Sequence, residues 1–237
     1  MHTSTDIQNA LSARATEERA ETNAWFFKMG AGQYGEGDQF IGVSVPDCRK
    51  VARQAKDASM PALRALLYSP IHEHRLTALL VLVERYSRAL KQGDEKAQES
   101  IFSFYTKHRA RVNNWDLVDT SAWKIAGEHV RLCGGEDVLY AYAHSASLWE
   151  RRIAIVATFA YIRAGVYTHT IAIAEMLLGD THDLIHKAVG WMLREVGKRD
   201  VAVLRCFLAA HASDMPRITL RYAIERLPAM ERTKWLG

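Results

Sequence analysis

The feature that most constrains this chain is its rhythm of apolar residues, which recur at spacings of three and four and nowhere alternate in the manner of a strand. Such spacing gathers apolar side chains on one face of a 3.6-residue helix. Five prolines punctuate the pattern, each at a helix boundary. Pro46, Pro61, Pro70 and Pro216 stand where a first-turn proline is harmless, because that N–H has no intrahelical acceptor. The expected fold is all-α, with helices over residues 6–29, 46–58, 61–68, 70–90, 94–110, 114–133, 136–144, 148–164, 168–178, 183–199, 201–212 and 216–227.

One stretch resists this pattern. Residues 30–45 hold Gly30, Gly32, Gly35, Gly37 and Gly42, and each glycine would cost a helix about 1 kcal/mol, so the segment reads as a loop. Gly35-Glu36-Gly37 superficially suggests a nucleotide-binding turn. No strand precedes it and the GxGxxG pattern is incomplete, which leaves a connecting loop.

The later helices echo one another. Arg75, Arg152, Lys187 and Arg221 each precede an apolar stripe, with steps of 35 residues from Arg152 to Lys187 and 34 from Lys187 to Arg221. The 77 residues from Arg75 to Arg152 make two steps of about 38, and the missing copy falls near Trp115 to Asp119. This period suits HEAT-like two-helix repeats, stacked into a curved solenoid with a concave basic face and forming a single domain over residues 1–237.

Composition narrows the class. Of the 237 residues, 49% are hydrophobic and 24% charged, a globular mixture able to bury a core. The first residues are polar where a secretory signal would be apolar, and the apolar run 76–83 is too short for a bilayer, so a soluble, cytoplasmic protein with no membrane contact is expected. Cys48, Cys133 and Cys206 lack CxxC spacing and read as reduced packing residues. His72 and His74 flank Glu73 and fall on different sides of a helix, so no shared metal is expected, and no HExxH, GxSxG or P-loop occurs. A net charge of +4 permits nucleic acid as a partner and is equally normal for many enzymes.

The placement of charge is more informative. Equivalent residues of successive repeats lie in a row, so Arg75, Arg152, Lys187 and Arg221 would form either a track for a phosphate backbone or a solvated edge. Lys187, Trp191, Arg194 and Lys198 follow offsets of 0, 4, 7 and 11, three cations and an indole on one helical face. There Trp191 is either exposed among the cations or buried at the edge of the stripe. Trp115 and Asp119 are four apart and adjacent on their helix. A carboxylate beside an indole suits binding or stabilising positive charge, and an ion pair to Arg152 or Lys187 is the ordinary alternative. Asp116, in the first turn, is accounted for by the helix dipole and reads as structural.

Over nearly its whole length the chain resembles the AlkD-type DNA alkylation repair proteins, bacterial glycosylases built of HEAT-like repeats. The segments that carry the resemblance are Phe26-Phe27-Lys28, the stretch 34–43, Asn114-Trp115-Asp116-Leu117-Val118-Asp119, Trp149-Glu150-Arg151-Arg152 and residues 187–195. In that family the WDxVD segment supplies a tryptophan and the catalytic aspartate, matching Trp115 and Asp119. The arginine of the next repeat matches Arg152, and the tryptophan of the GWxLRE segment matches Trp191. A family tyrosine at the lesion corresponds to Phe26, which keeps the ring and lacks the hydroxyl.

What the resemblance implies is hydrolysis of the N-glycosidic bond of purines alkylated at N3 or N7 in duplex DNA, without enclosing the flipped base, leaving an abasic site. Asp119, Trp115, Trp191 and Arg152 would be catalytic, and Phe26, Lys187, Arg194, Lys198 and Arg221 would contact DNA. No cofactor or metal is called for, and a monomer is expected. Two other readings stand beside this one. The first is a DNA-structure-binding relative without activity, against which the retained four residues argue. The second is a helical scaffold for protein partners, which would expose apolar grooves rather than cations and indoles.

Overall fold

The computed structural model describes all 237 residues, and they pack as two compact units, Met1–Ser121 and Ala122–Gly237. Both are built from helices, and the one strand-like feature is an isolated parallel bridge between Gln39 and Ile71.

The first unit holds α1 (Ser4–Ser12), α2 (Glu17–Phe26), α3 (Val45–Gln54), α4 (Met60–Leu67), α5 (His72–Gln92), α6 (Glu95–Lys107), a short 3-10 turn (Arg109–Arg111) and α7 (Trp115–Ala122). Local chemistry starts most of these helices. Thr3 and Asp6 form a capping box on α1, and Ser44, Ser59 and Asp94 accept backbone N–H groups at the starts of α3, α4 and α6. Gly93, at φ 64, ends α5 in the left-handed conformation common after helices. α5 is the centre of the unit, packed by α3, α4 and α6, and buried without a break from His72 to Leu82. Each leucine buried there contributes roughly 1.5–3 kcal/mol.

The sequence pattern predicts one helix over 6–29, and the structure has two. The chain breaks after α1 because Thr16 adopts extended geometry and donates its N–H to the Gly42 carbonyl at 3.2 Å. Gly42 sits at φ +78, and a Cβ there would lie 1.9 Å from the Thr16 carbonyl oxygen, so no other residue fits. The glycine-rich loop is thus a built element and more than a connector. Its end, just before α3, is held by Glu73, whose buried carboxylate accepts the N–H groups of Ile41, Gly42 and Val43 at 3.1, 2.9 and 3.2 Å.

The second unit holds a π-turn (Trp123–Gly127), α8 (Glu128–Cys133), α9 (Asp137–Ala143), α10 (Leu148–Ala157), α11 (Phe159–Arg163), α12 (Thr168–Met176), α13 (Asp183–Gly197), α14 (Val201–His211), α15 (Arg217–Ala223) and α16 (Ala229–Leu236). The last helix is absent from the sequence-based expectation. Two predicted helices are subdivided, 114–133 by the π-turn and 148–164 at Thr158, whose hydroxyl bonds back to the Ile155 carbonyl at 2.7 Å. Helix α13 packs against α10, α14 and α15. Its contact with α15 is close because Gly190 faces Thr219 and Tyr222.

The cysteines are free, and the packing expectation holds for one of them. Cys48 is buried, and burial pushes its thiol up to about 12, whereas Cys133 and Cys206 are exposed. No helix is long and apolar enough to cross a membrane.

Candidate functional site

In the first unit the start of α7 is fixed by Asn114, fully buried, whose side-chain oxygen accepts the Trp115 N–H at 2.8 Å while its amide donates to Asp38 at 2.9 Å. The Trp115 indole stacks on Phe27 (centroids 5.2 Å, planes 18° apart) and meets the edge of Phe26 at 5.8 Å. Phe27 in turn stacks on Phe40 at 4.9 Å, and Phe40 on the His72 imidazole at 4.7 Å. One face of the indole therefore rests on a column of rings. Lys28, at φ 51, turns the chain out of α2 directly after these phenylalanines, leaving Phe26 53% exposed and Phe27 8%. Asp119 is half-buried one turn beyond Trp115 on the same helix.

Beneath the column lies a charge-balanced network. His72 contacts Asp116 at 2.7 Å and Asp38 at 3.2 Å, and Arg75 contacts Asp38 at 2.5 Å. Burial disfavours the imidazolium, but the Asp116 charge and the hydrogen bonds to Asp116 and Asp38 outweigh it and raise His72 to about 9. Burial likewise opposes ionisation of Asp38, and the His72 bond and Arg75 charge overcome it, so its carboxyl lies below the usual range. Asp116 thus has a structural role, as its position predicts, through His72 as well as the helix dipole.

Arg75 requires a correction. It is 1% exposed, bonded to Asp38 and to the carbonyls of Ser69 and Pro70, so it lines no basic track. The reason is the glycine-rich loop, which brings Asp38 onto the first turn of α5. The flanking histidines do diverge. His74 turns to Ser69 at 2.9 Å, and burial together with the Arg75 charge lowers it to about 4. No three His, Cys, Asp or Glu side chains come together in a way that could hold a metal ion.

In the second unit Arg152 is 5% exposed in α10 and donates to the Leu184 carbonyl, which ties it to the first turn of α13. Trp191, on α13, is half-buried, with its ring tilted against Phe159 at 6.2 Å. It is neither fully exposed among cations nor part of the core. Lys187 lies half-buried one turn before it, and Arg221 is exposed on α15. The other two cations of the α13 face carry acidic partners. Lys198 pairs with Glu195 at 2.8 Å, and Arg194 pairs with Glu225 and lies 3.7 Å from Glu195.

Two elements of this surface escape the sequence reading. Glu195 is 5% exposed and also lies 3.6 Å from Arg199, so one carboxylate serves three cations. Phe159 and Trp123 join Trp191 in a run of rings, with Trp123 edge-on to Phe159 at 5.3 Å. Their signal is positional: Phe159 lies seven residues after Arg152, and Trp123 four after Asp119.

The chain matches the model of a family described as DNA alkylation repair enzyme over residues 7–227. No curated protein matches it. Among solved structures it is similar to a predicted DNA alkylation repair enzyme from Enterococcus faecalis, at 16% identity and a TM-score of 0.70, covering 91% of this chain and 98% of that one. It is also similar to AlkD2 from Streptococcus mutans, at 16% identity and a TM-score of 0.54, covering 95% and 98%. Likeness at that identity speaks for a shared all-α fold. The family match covers nearly the whole sequence, and the chain belongs to the DNA alkylation repair enzyme family.

Proposed function

We propose that this protein is a DNA glycosylase that hydrolyses the N-glycosidic bond of cationic N3- or N7-alkylated purines in duplex DNA. The observation that carries the reading is the position of Asp119 one turn beyond Trp115 on α7, where the indole is held from beneath by Phe27 and a buried, charge-balanced network. A pre-organised aromatic face with a carboxylate one helical turn away favours developing positive charge.

An alkylated purine already carries a positive charge, so it departs without prior protonation. The bond from C1′ to the base nitrogen breaks, its electron pair neutralises the base, and the sugar becomes oxocarbenium-like. Asp119 stabilises that sugar and takes a proton from the water that attacks C1′. The products are the free alkylbase and an abasic site. Trp115 and Trp191 pack against the deoxyribose, and Phe26 adds a ring without a hydroxyl. Arg152, anchored on the Leu184 carbonyl, holds the adjacent phosphate. Of the cations expected to contact the backbone, Lys187 and Arg221 contribute more than Arg194 and Lys198, which have acidic partners.

The test is an excision assay on a duplex containing 7-methylguanine, comparing the parent with Asp119→Asn. Release by the parent and a loss of about 10²-fold or more in the variant is expected. Absence of release by the parent would remove the glycosylase reading, and equal release by both would remove Asp119 from its role.

A further inference from the structure

We infer that Trp123, Phe159 and Trp191 form an aromatic row which, with Lys124, Arg163 and Arg199, is a binding surface for a DNA strand. Trp191 alone of the six is assigned a role above. The inference rests on the proposed function only for the identity of the ligand.

The row follows from the repeat. Trp123 to Phe159 is 36 residues and Phe159 to Trp191 is 32, close to the helix-pair period, and the three rings lie on the π-turn, α11 and α13. They touch in sequence, at centroid distances of 5.3 and 6.2 Å, and all three are half-buried. Tyr161, beside them on α11, is by contrast buried at 3% exposure.

Cations gather on this row. The Arg163 guanidinium lies 4.9 Å and the Lys124 ammonium 5.1 Å from the Trp123 ring, and the Arg199 guanidinium lies 5.7 Å from Phe159. Arg199 shares the single carboxylate of Glu195 with Lys198 and Arg194. Half-exposed π faces interleaved with cations suit a nucleic-acid strand, whose sugars and bases lie on rings while its phosphates meet the cations. Nothing in this arrangement reads base identity, as befits a surface that must accept any flanking sequence.

The experiment measures binding of the full chain to undamaged and 7-methylguanine-containing duplexes by fluorescence anisotropy over a salt series. Phe159→Leu, which keeps apolar volume but removes the ring, is expected to weaken binding of both duplexes about 5- to 10-fold. Arg163→Gln, a change at an exposed residue that should leave folding intact, is expected to lower the slope of log affinity against log salt by about one. Arg53→Gln, on exposed α3 surface, serves as the control and should match the parent. If both row variants bind as the parent does, or the parent binds neither duplex, the row is packing and the inference is overturned. A parent that binds duplex but releases no base would remove the glycosylase reading and leave the row standing. A parent that excises while both row variants bind normally would do the reverse.

Discussion

His72 Nε2 lies 2.7 Å from Asp116 Oδ2, a contact that joins the first turn of α5 to the first turn of α7 across 44 residues of sequence. Asp116 is the neighbour of Trp115, and His72 is the last ring of the column on which the indole rests, so one side chain touches both the first turn of α7 and the aromatic support. Its charge has a consequence for stability. His72 is raised from 6.5 to about 9 in the folded protein, so the stabilisation is fully present below about pH 6.5 and is lost as pH rises through 9. The unfolding free energy should fall by on the order of 3 kcal/mol across that interval. Urea titrations at several pH values would show it, and His72→Asn should flatten the dependence. An unchanged slope in the variant would assign the effect elsewhere.

Phe26 and Phe27 are consecutive and should behave oppositely. Phe27→Ala removes a buried ring between Trp115 and Phe40 and should cost about 3–5 kcal/mol. Phe26→Ala, at an exposed ring, should change stability by less than about 1 kcal/mol while reducing single-turnover excision. Thermal melts and excision rates on the two variants separate these effects. Comparable melting losses in both would contradict the placement.

Glu195→Gln should move stability and DNA affinity in opposite directions. Removing the carboxylate leaves Lys198, Arg194 and Arg199 without their shared partner, and because those cations are partly exposed the loss should be only about 1–2 kcal/mol. The same change releases positive charge towards solvent, so duplex affinity at low salt should rise and its salt dependence steepen. Unchanged affinity would show that these cations face away from DNA.

Gly190 tests the close approach of α13 and α15. A Cβ there would lie 2.6 Å from the Thr219 carbonyl oxygen and 2.5 Å from the Tyr222 Cβ, so Gly190→Ala should destabilise by about 1–3 kcal/mol. Gly179→Ala, where a Cβ meets nothing within 4 Å, should be near neutral. Melting temperatures of the pair are the measurement, and equal values would mean the helices yield.

Features that depend on neighbours three or four residues away were legible in the sequence. The helical rhythm, the proline boundaries and the shared face of Trp115 and Asp119 all follow from a 3.6-residue turn. The divergence of His72 and His74 is of this kind too. Arg75 was not legible, because its fate depends on Asp38, 37 residues earlier, in a loop whose path no periodicity describes. The break between α1 and α2 depends on Gly42 reaching back to Thr16, and the last helix, α16, has no fully buried residue to mark it as part of the core.

The sequence by itself determined the class of fold, the order of most helices and the register that sets an indole beside a carboxylate, since each is local and repeats with the turn of the helix. Only the tertiary structure decided how each cation is used. Arg75 is spent inside a buried network, Arg194 and Lys198 are paired with carboxylates, and Arg163 and Arg199 are set over aromatic rings. The physical reason is range: an ion pair or a ring contact joins residues tens of positions apart, and it exists only once packed helices bring those residues within a few ångströms.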